Sequence, residues 1–145
     1  MKHKSNTRLS DYGDRTFNSP DEVEEAFYSA FAKCDAKAME PVWAEGKVVC
    51  IHPGSQAIYG YNNVIRSWSH IFINSSLPKI IFNVVNSSVN DSLAVHLVEE
   101  HIATGKDSEI VVLATNVYQL FDEGWLMIEH HGSVIRSQLE GRTVQ

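Results

Sequence analysis

The chain has 145 residues, 43% hydrophobic and 21% charged, which is the usage of one ordinary globular domain with a single core and no room for a second. Its net charge of -6 excludes the basic face that nucleic acid or an anionic membrane surface requires. The N-terminus lacks the apolar stretch of a signal peptide, no run approaches the roughly 20 apolar residues of a bilayer span, and Cys34 and Cys50 have neither metal-knuckle nor redox spacing, so free thiols in a reducing, cytoplasmic setting are expected.

Residues 1–18 are polar, of mixed charge and aperiodic, and read as an arm. Ser19-Pro20-Asp21-Glu22 is a capping box with proline at the first helical position, and it opens a helix whose apolar stripe is Val23, Ala26, Phe27, Ala30, Phe31 and Cys34. Asp35 caps a second, shorter helix burying Ala38, Met39, Val42 and Trp43. Pro41 inside it removes a backbone hydrogen bond and predicts a kink or a 3₁₀ turn. A strand over 47–52 closes at Pro53-Gly54, and a short extended piece covers 57–59. The third helix runs over 61–74, with Tyr61, Val64, Ile65, Trp68, Ile71 and Phe72 on one side. Beyond Pro78 the pattern changes. Segments 79–85, 93–103, 109–121 and 125–134 are rich in Val, Ile and aromatics and are separated by polar turns, as strands are. Helices first and a meander after define an α+β domain over 19–137, with 138–145 as a tail.

Two segments carry a resemblance: Trp43 to Trp68, WAEGKVVCIHPGSQAIYGYNNVIRSW, and Gly124 to Ser133, GWLMIEHHGS. With the element order over Ser19 to about Ser137, they resemble the nuclear transport factor 2-like superfamily in its ketosteroid isomerase-like and SnoaL-like branch. The resemblance implies a cone, in which a strongly bent antiparallel sheet wraps three helices around a central pocket. It spans isomerases, cyclases and dehydratases as well as association modules, so it fixes architecture more than function.

In the isomerase branch the catalytic base is an aspartate directly before a proline at the end of the first strand. His52-Pro53 holds that place here, with the residue type changed. An imidazole with a pKa near about 6.5 can take a proton at neutral pH, which makes His52 the candidate acid/base; the alternative is that it caps the strand. The branch's proton-donating tyrosine on the first helix matches Tyr28 when counted without gaps from His52, and Phe27 when aligned on Asp35 and Trp43. Phe27 lies in the apolar stripe and Tyr28 about 100° further round, so Phe27 is the match and the tyrosine is missing, which counts against ketosteroid isomerisation itself.

Strand alternation supplies further candidates for a ligand. His96 and Glu100 share a face of the second long strand and are expected to look inward. Asn116 interrupts an aliphatic run beside Tyr118 and needs a partner, either a ligand or a core group. His130 and His131 must face opposite ways, and the resemblance favours His131 as the inward one. Trp43 and Trp68 read as core first, with Trp68 the nearer to a ligand. There is no HExxH, CxxC or paired i, i+4 histidine, so neither a metal nor a cofactor is expected. Two functions remain open: an enzyme or binder for a small, largely apolar molecule, possessing His52 as acid/base, or a non-catalytic module that dimerises through the outer sheet face or senses a ligand.

Overall fold

A computed structural model describes residues 16–139 and 142–144, so the N-terminal arm expected over 1–18 falls almost wholly outside the described residues. Helix α1, Pro20–Ala32, starts as its capping box dictates: the Ser19 hydroxyl accepts from the Glu22 amide at 3.2 Å. The Glu22 carboxylate reaches one residue further than in the usual box, to the Asn18 amide at 2.7 Å. Asp35 caps α2, Ala36–Met39, accepting from the Ala38 amide at 3.0 Å. The segment with Pro41 tightens into a 3₁₀ turn, Glu40–Val42, as a missing amide requires.

The remaining elements are β1, Val49–Ile51; β2, Ile58–Tyr59; α3, Tyr61–Ile73; β3, Lys79–Val89; β4, Leu93–Ala103; β5, Glu109–Phe121; β6, Gly124–Leu139; and β7, Arg142–Val144. Segment 138–145, expected as a tail, contains the end of β6 and β7, which pairs back on it. The strands form one sheet in the order β2-β1-β6-β5-β4-β3, with β7 also on β6. It is mixed, where a wholly antiparallel sheet was expected. β1 runs parallel to β6, the chain between them passing through β2, α3 and the three strands β3, β4 and β5 before returning beside it.

Register shifts between Val84 and Asn86, Val111 and Val112, and Val117 and Tyr118 bend the long strands around the helices. The inner face carries Ala94, His96, Val98 and Glu100 of β4, Ala114, Asn116 and Tyr118 of β5 and His130 of β6, all buried. Helices close over it with Val23, Phe27, Val64 and Trp68. The α+β cone is therefore present. Gly132 lets the turn after β1 seat against β6, since a Cβ there would stand 3.0 Å from Val112 and 3.4 Å from Pro53. Among the described residues, no helix is long and apolar enough to cross a membrane.

Candidate functional site

His52 sits on the turn that ends β1, where the Ser55 amide donates to its carbonyl at 2.9 Å. The face of α3 opposite it is written at helical spacing: Asn63, Arg66, Ser67, His70 and Ile71 recur at steps of three and four. With Ser55 and Ile58 these residues and His52 line a cavity of about 520 Å³ that is open to solvent. The Ser67 hydroxyl donates to the Val64 carbonyl at 2.8 Å, so its oxygen must accept from His52 Nε2, 3.0 Å away. That assignment leaves Nδ1 as the unprotonated nitrogen, with the Cys50 sulfur 3.9 Å from it. Burial holds the His52 pKa below its ordinary value, so the ring is neutral at neutral pH.

Behind His52 stands Trp68, edge-on with ring centroids 4.7 Å apart. Its indole also lies 5.9 Å from the ring of His130. From there a buried polar chain crosses the cone. His130 Nδ1 donates to Asn116 Oδ1 at 2.6 Å, Asn116 Nδ2 donates to the Tyr28 hydroxyl at 3.0 Å, and Tyr28 donates to Glu100 Oε2 at 2.6 Å. Burial drives the His130 pKa down to about 3 and that of Glu100 up to about 7, the latter against the hydrogen bond from Tyr28. A second group lies nearer the start of α1. Glu24 accepts from Tyr118 at 2.8 Å and from His96 Nδ1 at 3.0 Å.

A larger cavity, about 770 Å³, is lined by Phe31, by 74–79 after α3 and by 102–106 at the β4–β5 turn. Its charged groups are Lys79 and Lys106, and no histidine or carboxylate is in its lining. The smaller cavity with His52 is the better candidate site.

Residues 21–137 match the SnoaL-like domain family. This chain belongs to that family. The fold of this SnoaL-like domain is shared with a protein of Thiobacillus denitrificans assigned as a calcium/calmodulin-dependent protein kinase type II association domain, 30% identical, TM-score 0.80, over 83% of this chain and 98% of that one. It is shared also with a protein of Streptomyces avermitilis assigned as a dehydratase of the NTF2-like family, 27% identical, TM-score 0.70, over 78% and 91% of the two chains. The F-box protein SKIP8 of Arabidopsis thaliana is 25% identical over 114 residues, 78% of this chain and 48% of that protein. The SnoaL-like chain thus spans about half the length of that curated relative.

Of the residues expected at a ligand site, only His52 lines either cavity. Phe27, Trp43, Trp68, His96, Glu100, Asn116 and Tyr118 are buried and fill the cone interior. His131 is exposed, on the outer face opposite Thr115, and His130 is the inward member of the pair. The expectation for His131 is corrected by register: β6 pairs Asn116 with His130, and the inner face of β5 carries Asn116. Tyr28 is corrected too. It is buried beside Phe27, since α1 turns a wider arc inward than its apolar stripe, including Glu24. His52, His96 and His131 do not converge, the last lying on the opposite side of the sheet from His96. Sequence reasoning missed Arg66, Ser67 and His70. Their signal was the polar stripe on α3 at the spacing of its apolar one.

Proposed function

We propose that this SnoaL-like domain binds a compact organic ligand beside His52 and acts as a cofactor-independent isomerase or lyase in the cytoplasm, with His52 as the proton-transfer group. The observation that carries this reading is a neutral, half-buried imidazole, fixed by Ser67 through Nε2, in the wall of a cavity of about 520 Å³. Small-molecule sites commonly occupy ~300–1,000 Å³. Arg66 suits a carbonyl or carboxylate oxygen of the ligand, and Ile58 and Ile71 its apolar remainder. His52 Nδ1 takes a proton from the carbon beside that carbonyl. Returning it to a different carbon completes an isomerisation, and expelling hydroxide as water completes a dehydration. The assignment of the Streptomyces protein as a dehydratase supports the reaction class and says nothing of the substrate.

The test pairs a thermal-shift screen of small cyclic ketones, phenols and polyketide-like acids with solvent-deuterium exchange into the hits, on wild type and His52→Gln. The reading expects hits that raise the wild-type melting temperature, and an exchange rate about a hundredfold lower in the folded variant. A screen in which nothing stabilises the wild type, or a variant that exchanges at the wild-type rate, contradicts it.

The outer sheet face favours a second reading, association with another copy of the chain. Ile81, Leu93 and Val95 stand on that face at 68%, 38% and 37% exposure. The Thiobacillus protein assigned as an association domain makes such pairing a natural use of it. Sedimentation equilibrium is expected to give a dimer for wild type and a folded monomer for Val95→Lys. A monomeric wild type, or a dimer unaffected by the substitution, rejects this interface.

A further inference from the structure

The chain has 18 acidic residues, yet none falls between Glu45 and Asp91, a stretch that keeps Lys47, Arg66 and Lys79. β1, β2, α3 and β3 are all drawn from it. Every residue that lines the His52 cavity comes from this stretch, so in a protein of net charge -6 the lining has a cation, Arg66, and no carboxylate. A cleft lined by one sign of charge draws the opposite sign. Arg66 is held by its neighbour on the same face of α3: its Nη1 donates to Asn63 Oδ1 at 2.9 Å, and Asn63 Nδ2 donates to the Tyr59 carbonyl at 3.1 Å. One nitrogen of the guanidinium is thereby engaged, and its other donors meet no carboxylate among the described residues. Gly60 precedes α3 without a side-chain cap, so the amides of the first turn, at the Asn63 end of the cavity, add a potential of the same sign.

We propose that the ligand of the His52 cavity is an organic monocarboxylate, with its carboxylate on Arg66 and its apolar body against Ile58 and Ile71. The inference rests on the reading of that cavity as the ligand site and narrows it, from any compact organic molecule to an anion. One guanidinium balances one negative charge, and its planar fork matches the two oxygens of a carboxylate. A phosphate monoester carries closer to two charges at neutral pH and asks for a glycine-rich cradle or a second cation. The lining has no glycine, and Arg66 is its one lysine or arginine. The larger cavity has two cations of its own, Lys79 and Lys106, and is the competing place for an anion.

The experiment titrates isotopically labelled, full-length protein with acids and their neutral amides of the same shape, levulinate with levulinamide and benzoate with benzamide, at neutral pH and low salt. Chemical shifts report both the place and the affinity. The acids are expected to perturb Asn63, Arg66 and His52 and to bind about tenfold more tightly than their amides, a preference that added sodium chloride weakens. Arg66→Gln, at an exposed position on α3, abolishes the preference and leaves the amides unaffected. Amides that bind beside His52 as tightly as the acids overturn the carboxylate and leave the ligand site itself standing. A preference for acids that survives Arg66→Gln, or perturbations centred on Lys79 and Lys106, overturns it too, because the anion then sits elsewhere. No perturbation by any of these compounds overturns it as well, whatever a wider screen of neutral molecules finds. Levulinate that binds through Arg66, yet exchanges deuterium at the same rate in His52→Gln, supports the carboxylate and counts against catalysis alone.

Discussion

Trp68→Ala is expected to lower the unfolding free energy by ~3–5 kcal/mol, the range for deleting a buried aromatic from a core. Trp68 is 1% exposed. Its ring meets Phe31 at 5.0 Å, Phe27 and Phe72 at 5.5 Å, His52 at 4.7 Å and His130 at 5.9 Å, so truncation removes five ring contacts along with the buried area. The void opens between His52 and His130, where α1, α3 and the sheet hold the walls apart and collapse is limited. Denaturant titration measures the loss, and Trp68→Phe should cost clearly less. A Trp68→Ala variant within about 1 kcal/mol of wild type would show that the cone repacks freely and that this indole is not its central wedge.

The second large effect concerns pH. Glu100 holds its proton to about 7 in the folded protein, against an ordinary value of 4.5. Between those values the unfolded chain has released a proton that the folded chain retains, so this group's contribution to stability falls as pH rises from 4.5 to 7 and then stays level. At about 1.4 kcal/mol per pKa unit the total is ~3 kcal/mol. His130 works in the opposite sense. Its folded pKa of about 3 lies below the ordinary 6.5, so its contribution is full above 6.5 and is lost as pH falls toward 3. From 4.5 to 6.5 the two slopes nearly cancel.

Glu100→Gln unmasks His130. The amide oxygen still accepts from Tyr28, and groups common to both proteins drop out of the difference. The variant is expected to be ~3 kcal/mol more stable than wild type at pH 8, and to gain stability steeply from pH 4.5 to 6.5 where wild type is nearly flat. Denaturant midpoints across that range read both effects. A variant less stable than wild type at pH 8 would mean that Glu100 is ionised and paired in the native state.

Local chemistry made much of the fold legible. Ser19 and Asp35 announce their caps, Pro41 its 3₁₀ turn, and the β-branched runs of β4 and β5 their full extents. The parallel pairing of β1 with β6 was not legible, because it joins segments some eighty residues apart and leaves no local mark. Within the site, His52 announced itself through the proline after it. The inward role of Tyr28 stayed hidden because a hydrophobicity stripe counts Glu24 and Tyr28 as polar, whereas here each finds a buried partner. A related limit decided His130 against His131. Alternation of faces says that the two differ, but the register shift between Val117 and Tyr118 lies upstream of both, and parity across it is set by the bulge and not by composition.

The central claim is that a small molecule binds beside His52, and chemical-shift mapping on isotopically labelled protein tests it most directly. Compounds that raise the melting temperature are titrated into wild type. The account requires perturbations concentrated on His52, Ser55, Ile58, Asn63, Arg66 and His70, with the His52 ring signals among the largest. Perturbations centred instead on Phe31, Leu77 and Ile102 at the larger cavity, or on Val95 and its neighbours on the outer sheet face, would contradict it and move the functional site elsewhere in the fold.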